Sequence, residues 1–216
     1  MIISIDGPAG SGKSTVAELL SQKLGFIHFN SGAIFRGITA YLMSINFDFS
    51  TIKPDSVLKD FVLKTEFVDG IQHVYVNNID FTSKLRDNEV SVLTPIISTC
   101  KFVRTKIDNF QREFASHNNI VMDGRDVGSH VFPNADFKFY LDCSLEERAN
   151  RRHKEEINKG SSITLEEIKQ QIALRDKFDK EREIAPLVVP EGAIIVDSTN
   201  LNINQVVDAL YSKIIL

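Results

Sequence analysis

The chain has 216 residues, 43% hydrophobic and 25% charged, enough for one α/β domain with a buried core and too apolar for wholesale disorder. A net charge of −4 argues against a nucleic-acid polymer as the main partner, because binding a phosphate backbone needs a basic surface. Cys100 and Cys143 lie far apart without metal-ligand spacing and read as buried reduced thiols. No run of about eighteen apolar residues is present to cross a membrane. With a strand expected from residue 2 there is no room for a signal peptide, so a cytoplasmic location is expected.

Ile2, Ile3 and Ile5 form a short strand that runs into Gly7-Pro8-Ala9-Gly10-Ser11-Gly12-Lys13-Ser14, the spacing of a P-loop. Its glycines let successive N–H groups turn inward toward an anion, and the next helix adds its positive N-terminal end. Lys13 has the reach for terminal phosphates and Ser14 a hydroxyl for a Mg²⁺ shell. Val16, Leu19, Leu20 and Leu24 then recur at helical spacing until Gly25. A nucleoside triphosphate ligand follows from this stretch.

Phe26–Phe29 is a short apolar run, followed by Asn30-Ser31-Gly32-Ala33-Ile34-Phe35-Arg36 and then a helical stretch to about Ser44. Residues 46–60 read as a loop leading into a short helix that starts at Pro54-Asp55. Between residues 61 and 80, β-branched and aromatic residues flank Asp69-Gly70, a hairpin signal that predicts a small antiparallel insert. Residues 87–117 return to helix, with Val103, Ile107, Phe110 and Phe114 on one face. Ile120–Asp123, Phe137–Asp142 and Ala193–Asp197 read as strands, and 145–159, 164–183 and 203–215 as helices. This alternation predicts an α/β fold with a parallel, helix-covered sheet and a ligand crevice at the carboxyl ends of its strands.

The charged residues divide into three groups. Arg148, Arg151 and Arg152 fall at i, i+3 and i+4; they are either a solvated face paired with neighbouring glutamates or a mobile lid closing on phosphates. Arg175, Asp179 and Arg182 share another helical face, either a salt-bridged surface or a site for a ligand with hydroxyls and phosphate. Asp123-Gly124-Arg125-Asp126 ends an apolar strand, where three charges would be costly without partners. Asp123 suits a metal shell and Arg125 a phosphate. His28, His73, His117, His130 and His153 show no ligand pairing and read as surface or core residues.

Several blocks together resemble bacterial cytidylate kinases: the Gly-Pro-Ala-Gly-Ser-Gly-Lys-Ser loop, Asn30-Ser31-Gly32-Ala33-Ile34-Phe35-Arg36, Asp123-Gly124-Arg125-Asp126-Val127-Gly128 and Val131-Phe132-Pro133-Asn134-Ala135. Glu146-Glu147-Arg148 through Arg152, Arg175-Asp176 through Arg182 with Ala185-Pro186-Leu187, and Val196-Asp197-Ser198-Thr199 complete the set. The resemblance implies a nucleoside-monophosphate kinase fold over residues 1–216, with a monophosphate-binding insert at about 61–85 and a lid at about 148–162. It implies phosphoryl transfer from ATP to CMP or dCMP, with Mg²⁺ held by Ser14 and, through water, Asp123. Gly7, Pro8, Ala9, Gly10, Ser11, Gly12, Lys13, Ser14, Thr15 and Arg151 would bind ATP. Ser31, Arg104 and Asp126 would meet cytosine, Arg175 and Asp179 the ribose, and Arg36, Arg125 and Arg182 the acceptor phosphate, with Asp123 beside them. Lys13, Arg125, Arg148 and Arg152 would act in catalysis. A monomer is expected.

The base assignment also has its own chemistry: cytosine offers an amino donor that suits an aspartate, and uracil replaces it with a carbonyl. Three positions depart from the family: Asn30 stands where Asp is common, Phe35 where Tyr is common, and Pro95 where relatives often have Ser. A kinase for UMP, AMP or shikimate is the nearest rival. A P-loop switch is the other, although Asn158-Lys159-Gly160-Ser161 lacks the guanine-reading Asp.

Overall fold

Five parallel strands form the central sheet in the order β2-β6-β1-β7-β8: β1 (Ile2–Asp6), β2 (Ile27–Asn30), β6 (Ile120–Asp123), β7 (Phe137–Asp142) and β8 (Ile194–Asp197). The computed structural model describes residues 1–50 and 61–214; the helix expected from Pro54-Asp55 lies outside the described residues. β6 shows why the sheet is parallel and covered on both sides. All four of its residues are buried, with Ile120 and Met122 in one core and Val121 in the other. Such a continuous apolar run belongs to a strand sandwiched between helices.

Helices α1 (Lys13–Leu24) and α7 (Ile203–Ile214) cover one face, packing Val16, Leu20, Val206 and Leu210 on Ile3, Ile5 and Phe139. On the other face, α2 (Ser31–Ser44), α3 (Asn88–Ser98) and α4 (Lys101–Ser116) bury Ile34, Ile38, Ile97, Val103 and Ile107. Phe110 and Phe114 of α4 sit half-buried against Phe29. The helical stretch 87–117 is therefore two helices. Cys100 is extended between them, and the hydroxyls of Ser98 and Thr99 take carbonyls of the last turn of α3, bonding Pro95 O and Ile96 O. These local bonds compete with continuation of the helix.

The insert is a three-stranded antiparallel sheet of β3 (Leu63–Val68), β4 (Ile71–Val76) and β5 (Ile79–Asp80). Asp69 and Gly70 both have positive φ, 51° and 78°, as a two-residue hairpin turn demands. The insert lies close on α2: a Cβ on Gly37 would stand 2.5 Å from Val74 Cγ1. At the far end, α5 (Leu145–Asn158) and α6 (Leu165–Glu181) pack on each other around Ala149, Ile168 and Ile172. Thr164 and Glu167 make a capping box that starts α6. Among the described residues, no helix is long and apolar enough to cross a membrane.

Candidate active site

The carboxyl ends of the strands open into one cleft of about 720 Å³. Beneath β1 the chain turns sharply enough that only glycine fits: Gly7 has φ +149°, and a Cβ there would meet Leu141 O at 2.2 Å. Gly12, at φ +88°, hands the loop to α1. Lys13, the first residue of α1, folds back over the loop, donating to Pro8 O and to Ser11 Oγ at 3.2 Å. An ammonium has three donors, so one is left to face the cleft. Burial, and secondarily the Arg125 charge, lowers the Lys13 ammonium well below its usual range. An anion on the loop would reverse that pressure.

Beside the loop stands Asp123, the last residue of β6, nearly fully buried. Ser14 Oγ donates to its Oδ2 at 2.6 Å, and His28 Nε2 pairs with its Oδ1 at 2.8 Å. Burial by itself would raise this carboxyl, but the His28 bond and charge, Ser14 and Lys13 outweigh it and hold it below the ordinary range. Asn30 links this end to the next. Its Nδ2 donates to Ser14 Oγ at 3.1 Å, and its Oδ1 accepts from Ala33 N at 2.8 Å and Arg36 Nη2 at 3.1 Å. Burial pushes the Arg36 guanidinium down to about 10.

The opposite end is a web of arginines and carboxylates. Asp126 is gripped by Arg104 Nη1 on Oδ2 and by Arg182 Nη2 on Oδ1 at 3.1 Å. Asp179 has no exposed surface. It takes Arg125 Nε at 3.0 Å and Arg175 Nε at 3.1 Å. Burial opposes its ionisation, yet Arg125, Arg175 and Arg182 hold its carboxyl low. Phe35 lies under Arg104, ring centroid 5.3 Å from the guanidinium carbon, a cation–π contact.

Lys13, Ser14, Thr15, Ser31, Arg36, Arg104, Asp123, Arg125, Asp126, Arg151, Arg175 and Arg182 all line this cleft. Asp179 stands behind the arginines it positions. Two of the expected catalytic arginines are placed elsewhere. Arg148 is buried away from the cleft, donating to Cys143 O, Ala9 O and Asp176 Oδ2, so it braces the P-loop from behind. Arg152 is half-exposed and pairs with Glu155 and Glu156, the solvated face that its spacing equally allowed. Arg151 alone of the three reaches the cleft, tied to Glu147 Oε1 and Ser198 O, both at 2.8 Å.

Other residues at the site were not singled out by the sequence. Leu201, Asn202 and Ile203 wall the cleft beside Arg151. His28, read as a surface or core residue, is a partner of Asp123. Asp6 ends β1 fully buried and accepts Val127 N at 2.8 Å and Gly128 N at 2.7 Å. It thus anchors a π-helical turn (Val127–Val131) directly after Asp126. Burial lifts its carboxyl to about 7 against the pull of those two N–H groups. The visible signal was an acid ending an apolar strand next to Gly7, the pattern that did single out Asp123.

The family model for cytidylate kinase matches residues 3–215. A cytidylate kinase of Thermotoga petrophila is 42% identical over 210 residues, 96% of this chain and 94% of that protein. One from Bacillus cereus is 40% identical over 214 residues, 97% of this chain and 94% of its own length. Among solved structures, an uncharacterized protein from Eubacterium ventriosum overlays with a TM-score of 0.54 at 12% identity, covering 99% of this chain and 98% of that one. At that identity the likeness speaks for the fold alone.

Proposed function

This chain belongs to the cytidylate kinase family, and we propose that it transfers the γ-phosphoryl group of ATP to the 5′-phosphate of CMP or dCMP. The observation that carries this reading is the single cleft with a P-loop at one end and the Arg36, Arg104, Arg125, Asp126, Arg175 and Arg182 cluster at the other. The P-loop backbone and Lys13 would cradle the donor phosphates, with the adenine side of ATP against Arg151 and Leu201–Ile203. At the other end, Asp126 would accept from the cytosine amino group, with Arg104 and Ser31 meeting the ring acceptors and Phe35 the ring face. Arg175 would take the sugar. Arg36, Arg125 and Arg182 would hold the acceptor phosphate.

In this reading an oxygen of the acceptor phosphate attacks the γ-phosphorus in line, and the bond from phosphorus to the bridging oxygen of ADP breaks. The acceptor is already an anion, so no strong base is required, and the residues act by positioning and charge compensation. Ser14 and Asp123 offer hard oxygen donors 2.6 Å apart, a set that fits Mg²⁺, which completes its shell with phosphate and water. When bound, Mg²⁺ would neutralise charge on the β- and γ-phosphates. One chain supplies both ends of the cleft, which supports a monomer, and the substrates support action in the cytoplasm. The insert around β3–β5 and residues 148–162, from α5 to the turn before α6, are the segments we assign to acceptor binding and to the lid.

ADP formation measured with ATP and each of CMP, dCMP, UMP, AMP and shikimate tests the reading. CMP or dCMP should give the highest kcat/KM; a higher value for UMP, AMP or shikimate would overturn it.

A further inference from the structure

α4 carries three buried polar side chains at i, i+4 and i+7: Arg104, Asp108 and Gln111, none more than 5% exposed. Each holds a partner across the core. Arg104 grips Asp126, Asp108 pairs with His130 at 2.8 Å, and Gln111 donates from Nε2 to Ser31 Oγ at 2.8 Å. Ser31 lines the cleft and Gln111 does not. Gln111 is wholly buried, and among the described residues its own Oε1 has no hydrogen-bond partner. Leaving such a group unpaired is costly, so the amide is held there for what its other end does.

A hydroxyl has one proton to give and two lone pairs. Gln111 occupies a lone pair of Ser31 Oγ, which leaves the Ser31 proton to be donated into the cleft. Cytosine presents bare acceptors at N3 and O2, whereas uracil presents an N–H at position 3. We propose that Gln111 is a specificity-determining positioning residue: by fixing Ser31 as a donor it makes the base pocket favour cytosine over uracil. Asp126 then selects the exocyclic amino group, and Ser31, oriented by Gln111, selects the neighbouring ring position. This inference rests on the cytidylate reading above.

Four proteins test it: wild type, Gln111→Glu, Ser31→Ala and the double variant, each assayed at pH 8 for kcat/KM with CMP and with UMP. Glutamate keeps the size of Gln111 but only accepts when ionised, so it would draw the Ser31 proton inward. The CMP-over-UMP ratio should fall about tenfold, through KM for CMP, with kcat changed less than about threefold. In the Ser31→Ala background the same substitution should leave the ratio unchanged. A space-filling role predicts the wild-type ratio in Gln111→Glu, and that result overturns the inference, as does an undiminished effect in the double variant. Gln111→Met, apolar and of similar volume, should also lower the ratio, which keeps the test open if the glutamate variant does not fold. Were wild type itself to show no preference for CMP, the cytidylate reading would fail. Were it to prefer CMP with the ratio untouched by either Gln111 variant, only the role of Gln111 would fail.

Discussion

The two ends of the cleft are made of different material. The donor end is backbone: a loop bent at Gly7, Gly10 and Gly12, with Lys13 laid over it and Arg148 bracing it from behind. The acceptor end is side chain: Arg104, Arg125, Asp126, Arg175, Asp179 and Arg182 are drawn from three segments and locked by mutual ion pairs. A backbone site is encoded by contiguous residues and reads any triphosphate. A side-chain site needs partners far apart in sequence and can read one base. In the proposed reading the P-loop end supplies the chemistry and the arginine–carboxylate end the choice of substrate.

The sharpest break of this comparison is Lys13→Ala. It should lower kcat by about 10²–10³-fold, the scale of losing one preorganised charge contact, while KM for CMP stays close to wild type. A matching collapse of CMP affinity would show that the two ends are not separable. Asp179→Asn comes next. It removes the carboxylate that compensates Arg125, Arg175 and Arg182, and uncovering such a buried partner costs about 3–5 kcal/mol. Urea unfolding should show that loss, and ATP binding to any folded fraction should survive it.

A subtler probe lies at Asp6, where the donor strand holds the acceptor loop. Its folded pKa of about 7 lies above the ordinary 3.8. Its contribution to stability is thus complete below pH 3.8 and lost as the pH rises through 7. The Tm difference between wild type and Asp6→Asn should shrink from pH 5 to pH 8; a constant difference would contradict the assignment. The smallest effect belongs to Arg152→Ala, since exposed pairs such as those with Glu155 and Glu156 contribute about 0–1 kcal/mol. Tm should barely move and kcat should stay within about threefold. A large drop in kcat would mean that α5 swings Arg152 onto the phosphates.

This division also explains what could be read from the sequence. The strands and the P-loop declare themselves through apolar runs and glycine spacing, and the hairpin through Asp69-Gly70. Asp123–Asp126 stood out because charge at the end of an apolar strand needs a reason. Asp6, which ends β1 in the same way, was masked by the P-loop motif that follows it. His28 and Gln111 gave no local signal, because a partner 95 or 80 residues away leaves no mark on spacing. Spacing placed Arg148, Arg151 and Arg152 on one helix but could not say which faced inward. The packing of α5 on α6 and on the loop decided that: Arg148 to the core, Arg151 to the cleft, Arg152 to solvent.

The most direct measurement is a competition. ATP, Mg²⁺ and equal concentrations of CMP and UMP are given to the wild-type enzyme, and the diphosphates are separated and quantified at early times. CDP should form in large excess over UDP. Equal amounts, or an excess of UDP, would contradict the assignment of the arginine–carboxylate end as a cytosine-reading site.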